Sequence, residues 1–228
     1  MSALVDAGPQ SPAGHASPAR VFAAALALGS LTAVIDGLGA HHELPVRSWT
    51  GQASRGDHFL VDHCHGSTVD LGCGPGRIAA ELQARGHEVL GVDVSPSALI
   101  AARRRGVPVA CCSIFEALPG EGTWDTALLA DGNIGIGGDP VSLLRRARQL
   151  VRAGGRVVVD LAKPGTGLRV HQLHLRAGDL ASTSFPWAVL GPDALADIAA
   201  AAGLGVLQVS RGRGRTVGVL SGVADVPS

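Results

Sequence analysis

At 228 residues the chain can bury one α/β-sized core without cross-links but not a second full domain. Its formal net charge is zero, so no overall field gathers polyanions, and with no tyrosine and few aromatics to stack on bases this disfavours DNA, RNA or an anionic membrane as partner. The four cysteines, Cys64, Cys73, Cys111 and Cys112, match neither a zinc-ligand spacing nor a small disulfide framework, and they read as reduced thiols of a cytoplasmic protein.

Residues 1–19 contain Pro9, Pro12 and Pro18 with little apolar periodicity, which predicts a disordered tail. The apolar stretch 21–35 imitates a signal-peptide core, yet it follows a long tail with only Arg20 nearby, lacks a clear cleavage site and is short for a membrane span. We read 18–38 as one amphipathic to buried helix, stopped by Gly37 and Gly39 and packed beside or over a cleft. Residues 40–65 then bring His41, His42, Glu43, His58, Asp62, His63 and His65 together, a density that invites a metal reading. No HExxH or other ligand spacing accompanies them, and solvated or capping histidines are the commoner case, so no metal is assigned.

From Ser67 the pattern alternates between short apolar runs and helical segments. The first run breaks at VDLGCGPGR (69–77) into glycines at alternate positions and then into a helix, a strand-turn-helix unit whose backbone can approach a ligand closely. A dinucleotide fingerprint needs glycine at position 77, where this chain has Arg77; the pattern is acidic-x-G-x-G-x-G instead. A second run, HEVLGVD (87–93), ends in Asp93, suited to accept hydrogen bonds from a ribose diol.

These residues carry a resemblance. VDLGCGPGR followed by VLGVDVSPSAL resembles the first two motifs of the class I S-adenosylmethionine-dependent methyltransferases, and the similarity in order and pattern runs over residues 67–161. The resemblance implies S-adenosyl-L-methionine as cofactor, with Asp70 near its methionine amino group and Gly72, Cys73, Gly74 and Gly76 bringing backbone beside methionine and ribose. It implies Asp93 on the ribose hydroxyls, Val94 beside the adenine, and Ser113 and Ile114 at the position after strand three, where serine replaces the acid frequent in the family. In this fold the segment before strand one often covers the methionine end of the cofactor, which draws attention to Trp49.

Further strands are predicted at 107–111, 124–130 and 156–161, with a helix from the Asp139-Pro140 cap to 151. The fourth strand runs into ADGNIGIGG (130–138), a second glycine-rich stretch read as active-site lining, with Ala130 and Asp131 at the cofactor and Asn133 toward the acceptor. The long connection 163–191 includes an alternating piece, 168–175, that could form an added strand. Extended, it would put His171 on one face with Leu173 and Leu175, and His174 on the other; His171 is the candidate proton acceptor, Asp131 the alternative, and His174 a candidate for substrate binding. A helix at 193–202 precedes two strands, 204–210 and 216–220, joined by a hairpin whose arginines, Arg211, Arg213 and Arg215, read as a solvated tip.

The expected fold is a doubly wound, Rossmann-like α/β domain over 20–228, with a helical N-terminal cover at 20–65 and a core at 66–228. Its seven-stranded sheet should run 3-2-1-4-5-7-6 with the last strand antiparallel. The expected function is methyl transfer to a small-molecule acceptor, in specialised metabolism, with neither nucleic acid nor membrane as partner. A noncatalytic S-adenosylmethionine-binding regulator and a nucleotide-dependent oxidoreductase are the other readings, and Arg77 argues against the last.

Overall fold

The computed structural model describes residues 15–36 and 40–222. Helix α1 (Pro18–Leu28) starts where the Ser17 hydroxyl accepts from the Arg20 N–H, and it stops at Gly29, whose left-handed backbone (φ 72°) lets its N–H donate to the Ala25 carbonyl. The helix is therefore shorter than the 18–38 expected. β-Branched Thr32, Val34 and Ile35 favour extended backbone, and β1 (Leu31–Ile35) forms there, pairing antiparallel with β2 (His41–Leu44). Gly37 and Gly39, the expected helix stops, lie outside the described residues. Helices α2 (Val46–Thr50) and α3 (Arg55–Val61) follow, the latter opened by a reciprocal cap between Ser54 and Asp57.

The core then runs β3 (Thr68–Leu71), α4 (Arg77–Ala84), β4 (Val89–Asp93), α5 (Pro96–Arg104), β5 (Val109–Cys111), β6 (Trp124–Leu129), a 3-10 turn at Asn133–Gly135, α6 (Pro140–Leu150) and β7 (Val151–Leu161). After it come β8 (Leu168–Ala177), β9 (Leu180–Ala181), β10 (Phe185–Leu190), α7 (Leu195–Ala201), β11 (Leu204–Gly212) and β12 (Arg215–Gly222). The large sheet has the order β11-β12-β7-β6-β3-β4-β5, which is 3-2-1-4-5-7-6 counted from β3, with β12 antiparallel to both neighbours. Alternate residues of its strands feed opposite layers. In β6, Ala127 and Leu129 pack with Leu143, Leu144 and Leu195 of α6 and α7, while Leu128 packs with Leu60, Ile78 and Leu82 of α3 and α4. The chain leaves β3 for β4 and β5 on one side and returns to β6 on the other, so a crevice opens at the carboxyl ends of β3 and β6.

A second, antiparallel sheet, β10-β8-β1-β2 with β9 alongside β8, stands over that crevice. The N-terminal cover thus contains helices and two strands, and it is completed by the connection after β7, where the alternating piece forms β8. Val21 and Ala25 of α1 pack against Leu173, Leu175 and Ala177 of β8. Ala16, expected in a disordered tail, is tied in: its N–H donates to the Ala181 carbonyl at 2.9 Å and its carbonyl accepts from Thr183 at 2.9 Å. Residues 1–14 lie outside the described residues. Among those described, no helix is long and apolar enough to cross a membrane.

Candidate active site

The turn after β3 is held from behind: the N–H groups of Gly72 and Cys73 both donate to the Val92 carbonyl, at 2.8 and 3.0 Å. Its three glycines have different tasks. A Cβ on Gly72 would stand 2.7 Å from Asn133 Nδ2, and one on Gly76 would stand 2.7 Å from Ala102 Cβ, whereas one on Gly74 would meet nothing within 4 Å. Gly74 therefore faces open cavity, while Gly76, expected beside the cofactor, instead lets α4 pack against α5. Asn133 is also a structural tie, its Nδ2 donating at 2.9 Å to the carbonyls of both Leu71 and Gly72.

Two acids flank the turn. Asp93 accepts from the Gly74 N–H (2.9 Å) and the Ser95 N–H (2.8 Å); burial raises its carboxyl, and these N–H bonds oppose that. Asp70 is almost fully buried and its Oδ1 has no partner. Burial, joined by the charges of Asp131 and Asp93 and opposed by Arg77, pushes its carboxyl up to about 7. An unpaired buried carboxylate oxygen calls for a cation. Asp70 at the turn, Gly74 open to the cavity and Asp93 on its wall fit a ligand that carries an ammonium group and a diol.

Behind Asp70 lies a cluster from five distant segments. Arg77 binds Asp57 and also Asp131, the latter at 2.5 Å, while Arg215 binds Asp57, Asp160 and, at 2.8 Å, Asp131. Burial pushes Asp57 up, but Arg77 and Ser54 outweigh it and hold its carboxyl at about 2; Asp160 stays raised, to about 6, by burial against the pull of Arg215. Arg215 is thus an interior partner and not part of a solvated tip, which consists of exposed Arg211 and Arg213. Asp131 holds a left-handed backbone (φ 50°) with its carboxylate shared between two guanidiniums, a geometry that suits charge balance better than proton abstraction.

The turn, the acids and the cover enclose a cavity of about 810 Å³. Gly72, Cys73, Gly74, Val94, Ser113, Ile114, Ala130, Asp131 and Asn133 line it from the core, and Trp49 and His171 line it from the cover. His174 does not. It sits on the opposite face of β8, its Nδ1 2.8 Å from Asp36, so its expected substrate contact is corrected by the strand's own alternation. The second glycine stretch serves close approach as well as lining: a Cβ on Gly135 would collide with the Ala188 carbonyl and the Trp187 indole, and one on Gly138 would lie 2.6 Å from Pro186 Cβ. These glycines seat β10, and Ile136 bridges to Trp187.

Sequence reasoning missed Arg169, Phe185 and Trp187, all of which line the cavity. Arg169 lies two residues before His171 and so shares its face, a signal already present in the alternation. Trp187 is fixed only by its register opposite His171. Among the described residues no group of three or more His, Cys, Asp or Glu could hold a metal ion. The histidines after residue 40 have other places: His63 Nδ1 lies 2.8 Å from the Phe59 carbonyl, and His58 faces Glu81 at 3.6 Å.

Residues 68–155 match the family model for a methyltransferase domain. No curated protein matches the chain in sequence. Among solved structures, an S-adenosylmethionine-dependent methyltransferase from Bacteroides fragilis, in complex with S-adenosyl-L-homocysteine, aligns with TM-score 0.75 at 21% identity, covering 92% of this chain and 96% of that one. The 1,6-didemethyltoxoflavin-N1-methyltransferase of Burkholderia thailandensis, with 1,6-didemethyltoxoflavin and S-adenosylhomocysteine bound, aligns at 0.57 and 21%, covering 96% and 97%. A sugar N-methyltransferase from Streptoalloteichus aligns at 0.53 and 20%, covering 72% and 84%. The segment that builds the glycine turn, both acids and the β6 loop thus matches a methyltransferase domain, and in motif and strand order alike the chain resembles the class I S-adenosylmethionine-dependent methyltransferases.

Proposed function

We propose that this protein transfers the methyl group of S-adenosylmethionine to a small-molecule acceptor, in specialised metabolism and in the cytoplasm. The observation that carries the reading is the buried, unpaired Asp70 oxygen at a glycine turn that opens into a cavity shared with the cover. The names of the structural neighbours, whose acceptors are didemethyltoxoflavin and a sugar, support a small molecule of specialised metabolism. Four free cysteines support a reducing compartment.

When bound, the cofactor supplies a sulfonium methyl group open to in-line displacement. Asp70 would take its ammonium, Asp93 its ribose hydroxyls, and the backbone of Gly72, Cys73 and Gly74 would hold it, with Val94, Ser113 and Ile114 toward the base and Ala130 and Asp131 across the turn. Trp49 and the cover strands keep water from the acceptor, and Asn133 holds the turn against the β6 loop. His171 takes the proton that a hydroxyl or amine acceptor releases as its oxygen or nitrogen gains the methyl group. Asp131, shared between Arg77 and Arg215, balances charge.

Calorimetric titration with S-adenosylhomocysteine and with NAD, side by side, tests the reading. Binding of the former alone is expected; NAD binding without a response to S-adenosylhomocysteine would end it.

A further inference from the structure

The two walls of the cavity have opposite chemistry. The core wall holds the acids Asp70, Asp93 and Asp131, whereas among the described residues the cover wall holds none. Its titratable groups, among the described residues, are His42, His171 and Arg169. Two arginines line the cavity, and Arg77 is neutralised by Asp57 and Asp131. Arg169 donates through Nε to the Thr166 carbonyl (3.2 Å), and among the described residues it has no carboxylate within salt-bridge reach. It is exposed and yet lines the cavity, so it stands at the mouth.

Aromatic residues are scarce in this chain, yet five of its seven, Phe22, Trp49, Phe115, Phe185 and Trp187, face this one space. Four of them form two pairs: Phe22 with Trp49 at 5.7 Å between ring centroids, and Phe185 with Trp187 at 6.4 Å, edge to face. Register ties the second pair to the polar groups, since Trp187 lies opposite His171 and Val189 opposite Arg169. Along β8, Arg169 and His171 point the same way about 7 Å apart, roughly the span of a substituted aromatic ring.

Resting on the methyltransferase reading above, we propose that the acceptor is a planar aromatic acid. Its ring lies among the cover aromatics, its carboxylate meets Arg169 at the mouth, and the group to be methylated faces His171 beside the β6 loop. An acceptor carrying an ammonium group would find no carboxylate on this wall, and a flexible aliphatic chain would make no use of the ring faces.

The test is calorimetric titration of the full chain with 6-hydroxy-2-naphthoate, its carboxamide and the corresponding naphthylmethylamine, with and without S-adenosylhomocysteine. The acid should bind about tenfold or more tighter than either analogue, and Arg169→Gln should abolish that preference while leaving carboxamide affinity within about threefold. Because Arg169 is exposed, the variant should fold, which its far-UV dichroism checks. Equal binding of the amine, a preference that survives Arg169→Gln, or no binding of any of the three overturns the proposal. The donor assignment is read separately: S-adenosylhomocysteine bound without acid preference sinks only the acceptor class, while acid preference without S-adenosylhomocysteine binding supports the acid pocket and sinks the donor.

Discussion

The core wall and the cover wall of the cavity are built by different rules. On the core side each acid stands at or just beyond the end of a parallel strand, Asp70 in β3, Asp93 in β4 and Asp131 after β6. The cover side is assembled from strands that precede the core and strands inserted between β7 and β11, so His171 acquires its setting from Trp187 of β10 and not from its own neighbours along the chain. A wall made in the first way depends on local sequence, and one made in the second changes with the register of one antiparallel sheet.

The sharpest way to break the core is at Arg215. Arg215→Met strips a guanidinium from Asp57, Asp131 and Asp160 and leaves the buried Asp57 and the largely buried Asp160 short of a partner, so urea unfolding should show a loss of about 3–5 kcal/mol. A loss below about 1 kcal/mol would mean that the cluster does not hold the core. Gly135→Val should cost about 3 kcal/mol by driving a side chain into β10 at Trp187, and it should leave S-adenosylhomocysteine affinity within about threefold. If that affinity fell in step with stability, the two walls would be one unit.

His171→Ala tests the cover alone. Turnover should fall about 100-fold; an unchanged rate would leave proximity or Asp131. Asp93→Ala tests the core wall and should weaken S-adenosylhomocysteine binding by about 1.5–3 kcal/mol in calorimetry.

The smallest effect is set by pH. With the Asp70 carboxyl at about 7, the free protein holds it largely neutral below that value and ionised above it. Binding of an ammonium-bearing ligand should therefore tighten about tenfold from pH 6 to pH 8, and Asp70→Asn should flatten the curve. The stability of the unliganded protein should move the other way: a raised carboxyl in the folded state binds more protons than in the unfolded state, so stability falls as pH rises from about 4 through about 7.

The core was legible because its signals are local. An acid, three glycines and a second acid at the end of the next strand specify a turn and its neighbour, and the strand order follows from alternating β and α segments. The cover was half legible. Alternation in 168–175 was enough to put His171 with Leu173 and Leu175, but a helix continuing to residue 38 was the wrong reading of a stretch whose β-branched residues favour a strand. Gly76 shows the limit of motif spacing, which does not distinguish a glycine that faces a ligand from one that faces a helix. Arg215 shows the limit of composition: it looks like its exposed neighbours until β12 is laid beside β7 and Asp160 comes within reach.

The pairing of β1 with β8 has a consequence for the order in which the molecule is made. Val34 lies opposite His174, and the Asp36 side chain reaches His174 across 138 residues of chain. On a ribosome β1 must therefore wait, with only β2 as a strand partner, until β3 to β7 have been synthesised. The glycine turn and its acids can close while the other wall of the cavity is still missing.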